Sequence, residues 1–301
     1  MEHNHDHRHG HQQNNFSKAF IIGITLNVIY IAVELVFGLA INSMALIADA
    51  GHNFSDVLGL LLAWGAAYLA STSPTHQRTY GLRKSTILAA LFNAILLMIA
   101  VGAITIEAVR KFISPEPVHG ETMMIVAGVG VIINTITALL FIKGRKKDLN
   151  IKGAFLHMAA DAGVSLGVVL AALIIISTGW LWIDPAISLV IVLVIVIGTW
   201  GLLKESFQLS IDAVPKGIES KDVESFLRSL DGVEDVHDLH IWAMSTTETA
   251  LTVHLVIPND NKDDFFLKKV CTDLHHKFGI EHSTIQVEKS AQSSNCEYDK
   301  V

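Results

Sequence analysis

The sequence predicts an all-α six-helix transmembrane bundle followed by a small C-terminal α+β domain. Two observations lead there. Of 301 residues, 51% are hydrophobic and only 17% charged, against about 25% charged in soluble chains, and residues 16–203 are nearly free of charge over long stretches. Beyond about Leu209 the composition changes to that of a soluble unit, with helical and alternating patterns short enough for a small domain.

Six apolar segments can be drawn, at 16–40, 44–70, 86–112, 122–142, 153–178 and 181–203. Each is long enough to cross the hydrocarbon core, which takes about 20 residues at a rise of about 1.5 Å. Arg78, Arg83 and Lys84 follow the second segment, and Lys143, Arg145, Lys146, Lys147 and Lys152 follow the fourth. The loop after the third offers Arg110 and Lys111, offset by Glu116 and Glu121, and those after the first and fifth have neither Lys nor Arg. The positive-inside rule then puts both basic loops and both termini in the cytoplasm.

Residues 1–15 form a His-rich arm, with His3, His5, His7, His9 and His11 alternating with other residues. It is polar, without the apolar core of a signal peptide, and such tracts hold metal loosely by composition. The transmembrane domain spans 16–208. Over 209–289 the order αββαβ is expected. Val223, Phe226, Leu227 and Leu230 recur at helical spacing, 236–244 and 250–257 read as strands, and 263–278 is amphipathic with Gly279 at its end. A last strand covers 284–288, and 290–301 reads as a disordered tail. Cys271 and Cys296 are too few for a disulfide scaffold or a cysteine zinc motif.

The chemistry lies in two motifs. The second segment carries His52 and Asp56, the fifth His157 and Asp161. Residues four apart share one helix face, and ionisable groups inside a membrane default to function because they are costly there. Two such helices converging would offer two imidazole nitrogens and two carboxylate oxygens, the four-coordinate set that suits Zn²⁺. Two ionised aspartates in a low-dielectric site need neutralising by one divalent cation or by protons. Histidine must be neutral to bind metal and takes protons near physiological pH. Mutually exclusive fillings make an exchanger if the bundle alternates its opening. The bland alternative is a pair of His–Asp hydrogen bonds fastening the bundle. Asp49, three residues before His52, is open to roles as a fifth ligand, a gate or a packing group, and a supporting role is the reading adopted. Asn27, Glu34, Asn93, Glu107 and Asn134 also lie in apolar stretches. The asparagines read as polar glue between helices, while Glu34 and Glu107 either line a path or pair with an Arg. Asp184-Pro185 reads as the cap of the sixth helix.

These residues resemble the cation diffusion facilitator family over nearly the whole chain. The resemblance is carried by Glu34-Leu-Val-Phe-Gly, by Asn42-Ser-Met-Ala-Leu-Ile-Ala-Asp49-Ala-Gly-His52-Asn-Phe-Ser-Asp56, and by the second His-x-x-x-Asp motif. Trp182-Ile-Asp184-Pro185 and Val236-His237-Asp238-Leu239-His240-Ile-Trp242 agree with it. The pattern is closest to bacterial zinc/cadmium/cobalt exporters and vesicular zinc transporters. The resemblance implies a homodimer with a ferredoxin-like cytoplasmic domain and outward metal/proton antiport. It implies a bacterial inner-membrane location and a carrier rather than an enzyme. His52, Asp56, His157 and Asp161 take the transport-site positions, with Zn²⁺ as substrate and Cd²⁺ or Co²⁺ as alternatives. Imidazole ligands select Zn²⁺ over Mn²⁺ or Mg²⁺. The expected partners are a second copy, the bilayer, divalent metals and protons, with no nucleic acid. In the loop after the second segment only His76 matches the family's further site, since Arg78 and Leu82 stand where histidines would, so no metal is expected there.

In the tail domain, Leu251, Val253, Leu255 and Ile257 face a core, so His254 points away; Ile285 and Val287 point inward, leaving Glu288 outward. His237, His254 and Glu288 resemble the family's cytoplasmic metal site, where a structural Zn²⁺ joins two soluble domains. Solvated surface histidines are the alternative, and the reading adopted for His240, His275, His276 and His282. Two other classes compete. An intramembrane metalloenzyme would need an open coordination position and a general base, and no HExxH helix occurs. A metal sensor would not need the two intramembrane motifs.

Overall fold

The computed structural model describes residues 10–142, 149–258 and 264–290. Residues 1–9 of the His-rich arm, the basic run 143–148 and residues 291–301 of the tail lie outside these. The elements run α1 (Gly10–Ala40), α2 (Met44–Ala70), α3 (Ser85–Ile113), α4 (Gly120–Phe141), α5 (Leu149–Thr178), α6 (Ile183–Ser210), α7 (Ser220–Arg228), β1 (Asp235–Ala243), β2 (Thr249–Val256), α8 (Asp264–Phe278) and β3 (His282–Glu288). Among the described residues five helical stretches, Met44–Ala70, Ser85–Ile113, Gly120–Leu140, Phe155–Thr178 and Ile183–Ser210, are long and apolar enough to cross a membrane, and α1 contributes a shorter apolar stretch, Thr25–Ala40. The sixth helix outruns its apolar segment by a full turn and more, because Lys204 and Glu205 continue it past the hydrophobic residues.

The chain divides into two compact units, Met1–Leu61 with Asn93–Trp200, and Leu62–Phe92 with Gly201–Val301. In the first, Ala45, Leu46 and Ala48 of α2 pack with Leu97 and Val101 of α3, Met123 and Ala127 of α4, Ala171 and Ala172 of α5, and Ile191 and Ile195 of α6. The alanines let helix backbones approach closely, which favours packing where water supplies no driving force. Between α1 and α2 the chain reverses at Asn42, whose φ of 64° is a left-handed value that asparagine tolerates. Ser43 then caps α2 locally, its Oγ accepting from Leu46 N at 3.3 Å.

Asp184 corrects an expectation. It lies in the first turn of α6, yet its carboxylate serves α2. Met44 N donates to Oδ2 at 2.7 Å, Ala45 N to Oδ1 at 3.2 Å, and Ser43 Oγ to Oδ1 at 2.6 Å. The first N–H groups of a helix have no partner within it, and in this packing the nearest free acceptor comes from the neighbouring helix. Beside this join, Lys111 of α3 is buried and donates to the carbonyl of Asn42, the residue before Ser43, at 3.0 Å.

In the second unit α7, β1, β2, α8 and β3 give the order αββαβ. The sheet order is β1-β2-β3, with β1 antiparallel and β3 parallel to β2. The parallel pair requires a crossover, supplied by α8. Val223, Leu227, Leu251, Val253, Leu255, Val270 and Leu274 make the core. Gly279 ends α8 at φ 67°, with its N–H on the His275 carbonyl at 2.9 Å. Val287 departs from expectation. It is 37% exposed, near the end of β3, which lies at an edge of the sheet. Within the same unit Arg83 pairs with Glu248 at 2.8 Å and Lys84 with Asp212 at 2.6 Å.

The Arg228 guanidinium, 2.8 Å from Asp235, holds that carboxyl below its ordinary value. A lowered folded value means the stabilisation is present above the unfolded value of about 3.9 and fades as pH falls through the folded one. Both partners are exposed, so the effect is small. Asp235→Asn is expected to flatten slightly the acid limb of the full chain's melting temperature against pH; an identical limb would mean the pair contributes nothing.

Candidate metal site between two helices

α2 and α5 each set a histidine and an aspartate one turn apart, and the two faces meet. His52 Nε2 lies 3.7 Å from Asp56 Oδ2 and 3.7 Å from Asp161 Oδ1. His157 Nε2 lies 3.2 Å from Asp56 Oδ2 and 3.7 Å from Asp161 Oδ2. The two rings face each other edge-on with centroids 6.2 Å apart. Four donors held tetrahedrally at about 2.0–2.1 Å from Zn²⁺ stand about 3.3 Å from one another; His52, Asp56 and Asp161 bring one ligand atom each within 4.8 Å of the others, and His157, 3.2 Å from Asp56, has to draw in further than these three to complete the set. Exposure is graded: Asp161 is 2% exposed, His52 22%, Asp56 31% and His157 42%. His52 Nδ1, Asp56 Oδ2 and Asp161 Oδ2 are buried without a hydrogen-bond partner. Buried polar atoms are nearly always satisfied, and the orphaned Asp56 Oδ2 and Asp161 Oδ2, both turned to His157 Nε2, mark a place that takes a cation.

Asp49 hydrogen-bonds to none of these four and is fully buried. Its carboxylate accepts from Ser165 Oγ at 2.9 Å and from Asn53 Nδ2 at 3.4 Å. Sequence reasoning passed over Ser165, although its position four residues after Asp161 puts it on the same face of α5. Of the other intramembrane polar groups, Asn27 reaches Met158 Sδ at 3.6 Å and Glu107 pairs with Arg110 of its own helix at 3.6 Å. Asn93 packs on Gly59, and Asn134 is fully buried with neither amide atom partnered.

In the second unit His237, His254 and Glu288 also meet. Glu288 Oε2 is 3.4 Å from His237 Nε2 and Oε1 is 3.0 Å from His254 Nδ1. The imidazole centroids are 5.2 Å apart. One ligand atom from each residue fits within 4.8 Å of the others. His237 Nε2 and Glu288 Oε2 have no hydrogen-bond partner although buried, which suits a cation. Asp238 was not expected here. The pairing slips from His237↔His254 to His240↔Thr252, so Asp238 and Leu239 together oppose Val253 as a β-bulge. Asp238 takes φ 50° and brings Oδ2 to 3.6 Å from His254 Nε2 and Oδ1 to 2.8 Å from His240 Nε2. The broken alternation of His237-Asp-Leu-His240 was the available signal.

Residues 20–209 match the family profile described as the cation efflux transmembrane domain, and residues 215–290 that described as the cation efflux protein cytoplasmic domain. The metal cation efflux system protein CzcD of Cupriavidus metallidurans is 37% identical over 95% of this chain and 89% of its own length. The zinc transporter ZitB of Escherichia coli is 33% identical over 96% and 93%. The cadmium, cobalt and zinc/H(+)-K(+) antiporter of Bacillus subtilis is 32% identical over 95% and 93%.

Proposed function

The chain belongs to the cation diffusion facilitator family, a family of cation efflux proteins of the membrane, and from that premise we propose that it exports Zn²⁺ from the cytoplasm in exchange for protons, with Cd²⁺ or Co²⁺ as further substrates. The observation that carries this reading is that α2 and α5 bring His52, Asp56, His157 and Asp161 face to face, each imidazole within 3.7 Å of both carboxylates, a donor set that suits one tetrahedral ion. The exchange follows from charge. With metal bound, the two carboxylates are neutralised by the dication; without it, protons on carboxylate and imidazole take its place. In this reading α1 is a sixth span, both termini are cytoplasmic, and the protein works as a carrier without enzymatic activity in a bacterial plasma membrane.

Purified protein in vesicles with an acid interior tests it. Zinc is expected to enter as protons leave, and both fluxes stop when an uncoupler collapses the gradient. Zinc entry indifferent to the gradient would remove the antiport, and no entry would remove the carrier. Peptide hydrolysis by the same preparation would favour an intramembrane enzyme.

We further propose that the protein is a homodimer whose cytoplasmic domain holds a structural Zn²⁺ on His237, His254 and Glu288, with Asp238 orienting His254. Zinc at about 100 times its Kd adds about 2.7 kcal/mol to the stability of the domain that binds it. A chelator is therefore expected to lower the melting temperature of that domain in the full chain. Glu288→Gln should weaken zinc there by roughly 10–100-fold or more and erase most of the chelator effect. If parent and variant respond alike to the chelator, these residues hold no structural ion.

A further inference from the structure

Apart from the four metal-facing groups, helices α1, α2, α4 and α5 enclose a second polar cluster with two carboxylic acids in it. Glu34 and Asp49 are both 0% exposed. Tyr30, 1% exposed, donates from Oη to Glu34 Oε1 at 2.8 Å. Asp49 accepts from Ser165 and Asn53, one donor to each oxygen. Glu34 Oε2 has no hydrogen-bond partner. Gly130 of α4 makes the enclosure close: a Cβ there would collide with Tyr30 Oη and stand 3.1 Å from Ser165 Oγ. The titratable groups beside Glu34 are Tyr30 of its own helix and Asp49 of α2; the charges that act on Asp49 are those of Glu34, of His52 on its own helix and of Asp161 on α5. Among the described residues no lysine or arginine pairs with either acid.

Two ionised carboxyls cannot share a dry site without a compensating charge, so such a pair keeps a proton. The hydrogen bonds say which oxygen carries it. Two donors satisfy Asp49 as a carboxylate, whereas Glu34 has one donor and one bare oxygen. We propose that Glu34 is a proton-binding group of the exchanger, with Asp49 as its ionised partner, and that a divalent ion arriving at His52, Asp56, His157 and Asp161 expels that proton. No hydrogen bond joins Glu34 to any of the four. The link is Asp49, held by Asn53, the residue after His52, and by Ser165, one turn along α5 from Asp161, and near enough for the charges of His52 and Asp161 to act on it, so a dication there stabilises a second negative charge on the acid pair. The balance is one H⁺ leaving Glu34 Oε2 as the metal enters, in addition to any protons the four groups give up. This rests on the four groups being the metal site.

The test is the number of protons released per zinc bound, measured by calorimetry of the detergent-purified full chain in buffers of different ionisation enthalpy. Glu34→Gln is expected to bind as much zinc as the parent and release about one proton fewer per ion at the membrane site. Infrared difference spectra of the parent should lose a protonated-carboxyl band when zinc is added, a band absent from Glu34→Gln. In Tyr30→Phe, which keeps the acid but removes its donor, the band should shift. An unchanged proton count overturns the proposal. If Glu34→Gln does not fold, the Tyr30→Phe spectrum decides, and a band that stays put also overturns it. Asp161→Ala separates this from the larger reading. If that variant still carries zinc, the metal site is elsewhere; if it does not, yet Glu34→Gln releases the full count, only the role of Glu34 falls.

Discussion

Asp161→Ala protein in vesicles is expected to carry zinc roughly 100-fold more slowly than the parent, or less, since even loss of a ligand's hydrogen-bond partner costs about 10–100-fold. Asp161 is the enclosed member of the four, 2% exposed, and each of its oxygens faces a different imidazole at 3.7 Å. Water cannot readily replace it. Asp161→Asn keeps the shape but not the charge, and should be almost as impaired, because a neutral amide cannot offset a dication in a low-dielectric site. His157, at 42% exposure, is the contrasting case. Water can reach its place, so His157→Ala should lose less than Asp161→Ala. Parental flux through Asp161→Asn would rule out charge neutralisation as the basis of exchange.

Asp184→Ala should instead act on stability. The change strands two backbone N–H groups at the start of α2 and the Ser43 hydroxyl, all buried. Each buried donor left without an acceptor costs about 1–3 kcal/mol, so the three together should cost about 3–9 kcal/mol. It would be read as a lowered unfolding midpoint of the detergent-purified chain in heat or denaturant. Asp184→Asn retains one acceptor oxygen and should recover part of it. A midpoint equal to the parent's would mean that α2 starts without help from α6.

The five long apolar helices and the αββαβ order could be read from the sequence because burial in lipid and burial in a small core each impose a repeat, unbroken in one case and periodic in the other. The facing of His52 with Asp56, and of His157 with Asp161, is likewise a property of helical spacing alone. That α2 and α5 turn these faces toward each other is tertiary information. Asp184 shows the limit from the other side. Adjacent to Pro185 at a helix start, it suggests a local cap, yet its hydrogen-bond partners lie about 140 residues away in sequence. Asp238 is hard to place for a different reason: alternation assumes an unbroken strand, and although the broken pattern of 237–240 signals a bulge, it does not say where the bulged side chain turns. Alternation did put His254 and Glu288 on one side, but not the depth of Glu288, which is 7% exposed. The Glu34 proton site could not be foreseen, since it depends on which oxygens find donors.

The tie between α2 and Asp184 also bears on motion. A rod fastened at Met44 and Ala45 pivots there, and displacement grows with distance from the fulcrum. His52 sits about 12 Å along the helix from that point and Asp56 about 18 Å. Tilting α2 by a few degrees would therefore swing Asp56 further than His52, pulling it from His157 while the stretch nearest the anchor hardly stirs.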